Sequence, residues 1–151
     1  MPAEATPGGR LAVLVGADLV SVGEVASKLA AHPGLAREVF TEREMRYARA
    51  RCRGAEHLAA RLAAKEAVFK ALGTGLAQGV DWRDVEVVKA ASGRPRIRLA
   101  GAAKSIADRL GVQSMEISLS HSAGLAVAFA AVLCLRKPCP ARPAGYAGGP
   151  P

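Results

Sequence analysis

The sequence predicts one mixed domain in which helices lie against antiparallel strands, and three observations predict it. Half of the 151 residues are hydrophobic, which supports one real core and not two. The stretch from about Ala55 to Leu72 reads as a long helix, because Leu58, Leu62, Phe69 and Leu72 fall on one stripe at about 100° per residue. Farther on, Met115–Leu119 and Leu125–Leu135 flank the turn His121-Ser122-Ala123-Gly124 and are expected to pair antiparallel.

In chain order, residues 1–9 carry proline and glycine without periodicity and are expected to be a disordered leader to a domain spanning 10–136. Leu11 to Val20 is apolar on both parities, as in a strand covered on both faces, with Asp18 its one charge. Gly23 to about Ala31 reads as a helix stopped near His32-Pro33-Gly34. Thr41 to Arg51 reads as another, since Thr41 and Glu44 form a capping box and Phe40 stands where a hydrophobic staple would. Gly54 separates it from the long helix, and Gly73-Thr74-Gly75 closes that helix with a glycine cap. Val85–Val88 and Arg96–Leu99 flank Ser92-Gly93-Arg94-Pro95 as a hairpin, and Ala102 to Leu110 is a short helix before Gly111. Beyond Arg136 come five of the nine prolines, so 137–151 is expected to be a disordered tail.

Lys and Arg outnumber Asp and Glu by 21 to 13, a net charge of +8 spread through the chain, which suits an acidic or phosphorylated partner. Aromatics at 4% are too few for the stacking platforms of a single-strand nucleic-acid binder. Cys52, Cys134 and Cys139 are odd in number and share no metal-ligand spacing, so a reducing, cytoplasmic setting is expected. No apolar segment reaches membrane-spanning length.

Lys65 falls inside the packed stripe of the long helix, where an ammonium must snorkel to the edge or meet an anion. Glu66 and Lys70, four apart, flank the stripe. This is either an ion-paired helix face, contributing about 0.2–0.5 kcal/mol per pair, or a phosphate and metal site. Asp18 needs a partner or a cation to stay ionised within its strand, and it is the natural second carboxylate to Glu66 for magnesium, which takes one or two protein carboxylates. The strand end Ser118-Leu119-Ser120-His121 gathers hydroxyls and an imidazole suited to phosphate or hydroxyl recognition.

Four stretches in order, Val15–Val20, Phe40–Glu44, Arg61–Gly75 and Ser118–His121, resemble the holo-acyl-carrier-protein synthases, the small 4'-phosphopantetheinyl transferases. The resemblance implies an α+β, 4'-phosphopantetheinyl transferase-like fold with helices packed on a small antiparallel sheet. It also implies Mg2+-dependent transfer of phosphopantetheine from coenzyme A to a serine of an apo acyl carrier protein, releasing adenosine 3',5'-bisphosphate. Asp18 and Glu66 match the family's magnesium ligands, and Lys70, with Lys65, the lysines near the coenzyme's phosphates. Gly73, Thr74, Gly75, Pro95, Ser120 and His121 fall where the coenzyme pocket is lined. Glu66, or a water beside Asp18, would take the serine proton. The carrier is expected to belong to fatty-acid or polyketide synthesis, and the family implies homotrimers with each site between two subunits.

The chain departs from the family at Glu24, where an arginine usually holds the acidic carrier helix, so docking would shift toward the Arg43–Arg53 run or serve a specialised carrier. The rival reading is a non-catalytic basic module that grips an acidic protein or nucleic acid through that run. It predicts that Asp18 and Glu66 are dispensable.

Overall fold

Strand β1 (Arg10–Ser21) begins the fold and pairs antiparallel with the last strand, β5 (Leu125–Arg136), which also pairs antiparallel with β4 (Val112–Ser122). The sheet order is therefore β1-β5-β4, and β2 (Val85–Lys89) with β3 (Pro95–Leu99) forms a separate hairpin. Between the strands come α1 (Val22–Ala31), α2 (Leu35–Val39), α3 (Glu42–Arg49), α4 (Gly54–Leu72) and α5 (Gly101–Leu110). The protein is described by a computed structural model over residues 9–136, and the expected leader (apart from Gly9) and tail, with Cys139, lie outside the described residues. The predicted class, α+β with helices on a small antiparallel sheet, is the observed one.

The architecture depends on α4, whose residues from Ala59 onward are buried on nearly every side. One side lies on β1 and β5, and the other is covered by α3 and β2. A helix enclosed in this way needs small residues where it meets a sheet closely. Ala63, Ala64 and Ala67 at 0% exposure fill that role, with Ala126, Ala128 and Ala130 at 0% on β5. Gly16 of β1 completes the contact: a Cβ there would lie 2.0 Å from the Ala67 carbonyl oxygen and 2.6 Å from the Ala71 nitrogen. Both obstacles are backbone, so neither can rotate away. Gly16→Val is therefore expected to destabilise the fold by about 3 kcal/mol, read as a lower urea midpoint.

The helix ends follow their sequence signals. Thr41 caps α3 with both halves of the capping box present, and Phe40 and Met45 share a buried cluster as the staple requires. Gly73 ends α4 in the left-handed conformation at φ 66°, the Gly73 N–H donating to Lys70 O and the Thr74 N–H to Phe69 O. Helix α2 was not expected, because a five-residue helix after Pro33-Gly34 is too short to show a period.

One expectation is corrected within the single chain. Both-parity apolarity predicted cover on both faces of β1 and β5, yet only the α4 side is covered. On the other side Leu11, Val13, Val15 and Leu19 are 57–65% exposed, and Val127, Phe129, Leu133 and Leu135 of β5 are also exposed. The register sets Leu11 beside Leu135, Val13 beside Leu133 and Leu19 beside Val127, so these side chains form one continuous apolar face.

Candidate active site

Alternation along β1 turns Asp18 to the same side as Gly16, toward α4. There Lys70 Nζ lies 2.8 Å from Asp18 Oδ1 and also donates to the Ala17 carbonyl at 3.1 Å. The Asp18 side chain is 16% exposed and that of Lys70 54%, so the pair opens to solvent at its lysine end. Hydrogen bonding to Asp18, more than any other cause, raises the Lys70 pKa. Glu66 stands one turn earlier on the same helix face. Burial first, and then the Asp18 charge, hold the Glu66 carboxyl above its ordinary value, with Lys70 opposing them. The structure thus brings together three residues that the sequence placed 52 positions apart in the case of Asp18 and Lys70.

The raised Glu66 value has a sign that can be checked. The folded state holds the Glu66 proton to higher pH than the unfolded chain does, so stability is lost as pH rises from the ordinary value of 4.5 through the raised one. Carbon NMR of Glu66 in metal-free buffer should give a midpoint above 4.5, and Asp18→Asn should lower it by removing the neighbouring charge.

Gly73, Thr74 and Gly75 follow Lys70 directly, Gly73 as the left-handed cap and Gly75 in extended backbone. The Thr74 hydroxyl is buried and has no hydrogen-bond partner among the described residues. Buried polar groups ordinarily have partners, so this hydroxyl one turn beyond Lys70 is a candidate contact for a ligand.

Lys65 belongs elsewhere, which corrects its expected place at the coenzyme's phosphates. Its side chain is 0% exposed and pairs with Glu44, also 0% exposed, at 2.9 Å. Its ammonium also donates to the Trp82 carbonyl at 3.0 Å and to that of Val85. All three ammonium protons thus have acceptors inside the protein, and no external ligand can reach the group. Burial pushes the Lys65 pKa down, with Glu44 the main opposing influence. Glu44 accepts further hydrogen bonds from the Thr41 N–H at 3.0 Å and the Val87 N–H at 2.9 Å, so this pair ties α3, α4 and β2 together. The sequence reading saw Glu44 only as a cap. Its signal was position: with Met45 and Ala48 it lies on the buried side of α3.

His121, Ser120 and Pro95 are not brought to Asp18 in this chain. Asp18 and Leu119 both pair with Ala128, so His121 is two strands over and two residues on, about 12 Å away by sheet spacing. His121 Nδ1 instead approaches Glu56 Oε2 at 3.4 Å, in a cleft of ≈ 280 Å³ shared with Arg53 and the Ser122–Gly124 turn. Ser120 projects from the opposite side of β4, alongside the apolar face, and Pro95 opens β3 opposite Lys89. A cluster that sequence reasoning missed adjoins His121: Tyr47 lies between the Arg61 and Arg51 guanidiniums at 4.1 and 4.7 Å, with His57 edge-on. These contacts join residues of α3, of α4 and of the segment between them, which no single-element period relates.

Arg43, Arg46 and Arg49 are exposed on α3, and Arg43 lies 3.9 Å from Glu86. Glu24 is exposed in the first turn of α1, where its N–H donates to Ser21 Oγ at 3.2 Å and its charge favours the helix dipole.

Comparison with known proteins follows the same lines. Residues 14–130 match the model of the 4'-phosphopantetheinyl transferase superfamily. The chain is 47% identical over 114 residues to the holo-[acyl-carrier-protein] synthase of Streptomyces avermitilis, covering 76% of this chain and 91% of that one. It is 46% identical over 114 residues to that of Frankia casuarinae, with the same coverage. Among solved structures, a Chronobacterium ammoniagenes ACPS–CoA complex superposes with a TM-score of 0.73 at 31% identity, covering 83% of this chain and 99% of that one. The Helicobacter pylori holo-[acyl-carrier-protein] synthase in complex with coenzyme A gives 0.69 at 26% identity, covering 79% and 99%.

Proposed function

The chain belongs to the 4'-phosphopantetheinyl transferase superfamily, among the holo-[acyl-carrier-protein] synthases, and from that premise we propose a specific reaction. It transfers the phosphopantetheine arm of coenzyme A to a serine hydroxyl of an apo acyl carrier protein and releases adenosine 3',5'-bisphosphate. The observation that carries this reading is the meeting of Asp18, Glu66 and Lys70 beside the unpartnered Thr74 hydroxyl. The attacking serine belongs to the partner, so this chain needs no nucleophile of its own.

The donor set fits magnesium. Two carboxylates meet there, and burial together with the Asp18 charge pushes Glu66 toward its protonated form, which only Lys70 opposes. Among the described residues no group of three or more His, Cys, Asp or Glu gathers at one point, so the pair suits a cation that keeps water and phosphate oxygens as its other ligands. Asp18 and Glu66 would hold it, and when bound it would neutralise charge on the coenzyme's pyrophosphate. Lys70 donates to a phosphate oxygen and stabilises the charge that grows on the departing bisphosphate. Gly73, Thr74 and Gly75 line the pyrophosphate. Glu66, or a water beside Asp18, would take the proton that the serine gives up. The net +8 charge steers an acidic carrier toward the enzyme.

The bare apolar face supports assembly into a homotrimer, in which His121 and Ser120 of one subunit would serve the Asp18 site of its neighbour. Light scattering should give a trimer for the wild type and a lower mass for Val13→Glu, which puts a charge on that face. No described helix is long and apolar enough to cross a membrane, and the substrates suit the cytoplasm. Intact-mass spectrometry of apo carriers from fatty-acid and polyketide systems, incubated with this protein, coenzyme A and Mg2+, tests the reaction. A phosphopantetheine adduct on one or more is expected, and none on any carrier would refute the reading.

A further inference from the structure

The Asp18 contact has more to it than two opposite charges meeting. Asp18 and Glu66 are two carboxylates at one place, and the positive charge between β1 and α4 comes from this chain's own Lys70. The Lys70 ammonium is held from two directions, by Asp18 Oδ1 at 2.8 Å and the Ala17 carbonyl at 3.1 Å, both oxygens of β1. A divalent cation offers the same oxygens twice the charge. Its arrival would bring it against an ammonium already bonded to Asp18, and the two like charges would repel each other at that distance. Lys70 has somewhere to go, because its side chain is 54% exposed and carries four rotatable methylenes, whereas Asp18 is fixed on its strand.

Resting on the metal reading above, we infer that Lys70 is a resident counter-ion for Asp18 in the free protein, one that a divalent cation must displace and that then becomes available to the coenzyme's phosphate. Binding of the cation is therefore weak without coenzyme, since it breaks the Lys70 contacts with no replacement. With coenzyme present the displaced ammonium gains a phosphate, so the two ligands tighten each other. Lys70 thus couples cation to substrate, besides contacting phosphate.

The test measures Mn2+ binding to the full-length chain from the EPR signal of free Mn2+, with and without coenzyme A. Without coenzyme, Lys70→Gln should bind Mn2+ about tenfold more tightly than wild type, the size of one charge contact near a protein surface. Lys70→Arg, which keeps the charge, should stay close to wild type. Adding coenzyme A should tighten Mn2+ binding more in wild type than in Lys70→Gln. Equal or weaker Mn2+ binding by Lys70→Gln, with Asp18→Asn still abolishing it, would overturn the counter-ion role and leave the metal site standing. Mn2+ binding that is absent from wild type even with coenzyme A, or indifferent to Asp18→Asn, would overturn the metal reading and this inference together.

Discussion

Asp18→Asn is expected to slow phosphopantetheine transfer by at least about a hundredfold while leaving the protein folded, as is Glu66→Gln. The substitution keeps the shape of the side chain and an oxygen for Lys70 but removes the charge that a cation between β1 and α4 would need. Its cost in stability should be small, since the partner lysine is 54% exposed and such pairs contribute about 0–1 kcal/mol. The measurement is the initial rate of mass gain on an apo carrier at saturating Mg2+, beside a thermal melt of each variant. Full activity in either variant would remove that residue from the metal site. Loss of activity with an unchanged melt would separate chemistry from folding, which the basic-module reading cannot explain.

The opposite split is expected for Lys65. Lys65→Met leaves the Glu44 carboxylate at 0% exposure with no cation, and breaking a buried pair from one side costs about 3–5 kcal/mol. Urea unfolding should show that loss. Lys65→Met combined with Glu44→Gln should recover a large part of it, because the glutamine carries no charge to strand and can still accept from the Val87 N–H. The KM for coenzyme A, measured on the folded fraction, should not change in Lys65→Met. A raised KM without a stability loss would return Lys65 to the coenzyme site.

These two lysines show how far the sequence could be read and where reading stopped. They are five residues apart on one helix, about 140° around its axis, whereas Glu66 and Lys70 are about 40° apart. The packed stripe did predict that Lys65 would snorkel to the edge or meet an anion, and it meets one. The identity of the anion could not be read, because Glu44 belongs to another helix and its visible role was capping. Asp18 was legible as a charge out of place in an apolar strand and as the natural second carboxylate to Glu66, whereas its direct contact with Lys70 was not legible. His121 was legible as a strand-end histidine, yet its contact with Glu56 depends on how β4 crosses α4.

The order of the elements other than α2, the caps of α3 and α4, the closing hairpin and the family follow from the sequence alone, because each is written in local periodicity, turn chemistry or ordered motifs. Only the tertiary structure decided which lysine is buried and which is offered to a ligand, and which side of β1 lies bare. Periodicity tells which face of an element avoids water but not what that face meets. For α4 the answer was a glycine, a row of alanines and a buried glutamate. For the outer face of β1 and β5, nothing within this chain covers it among the described residues.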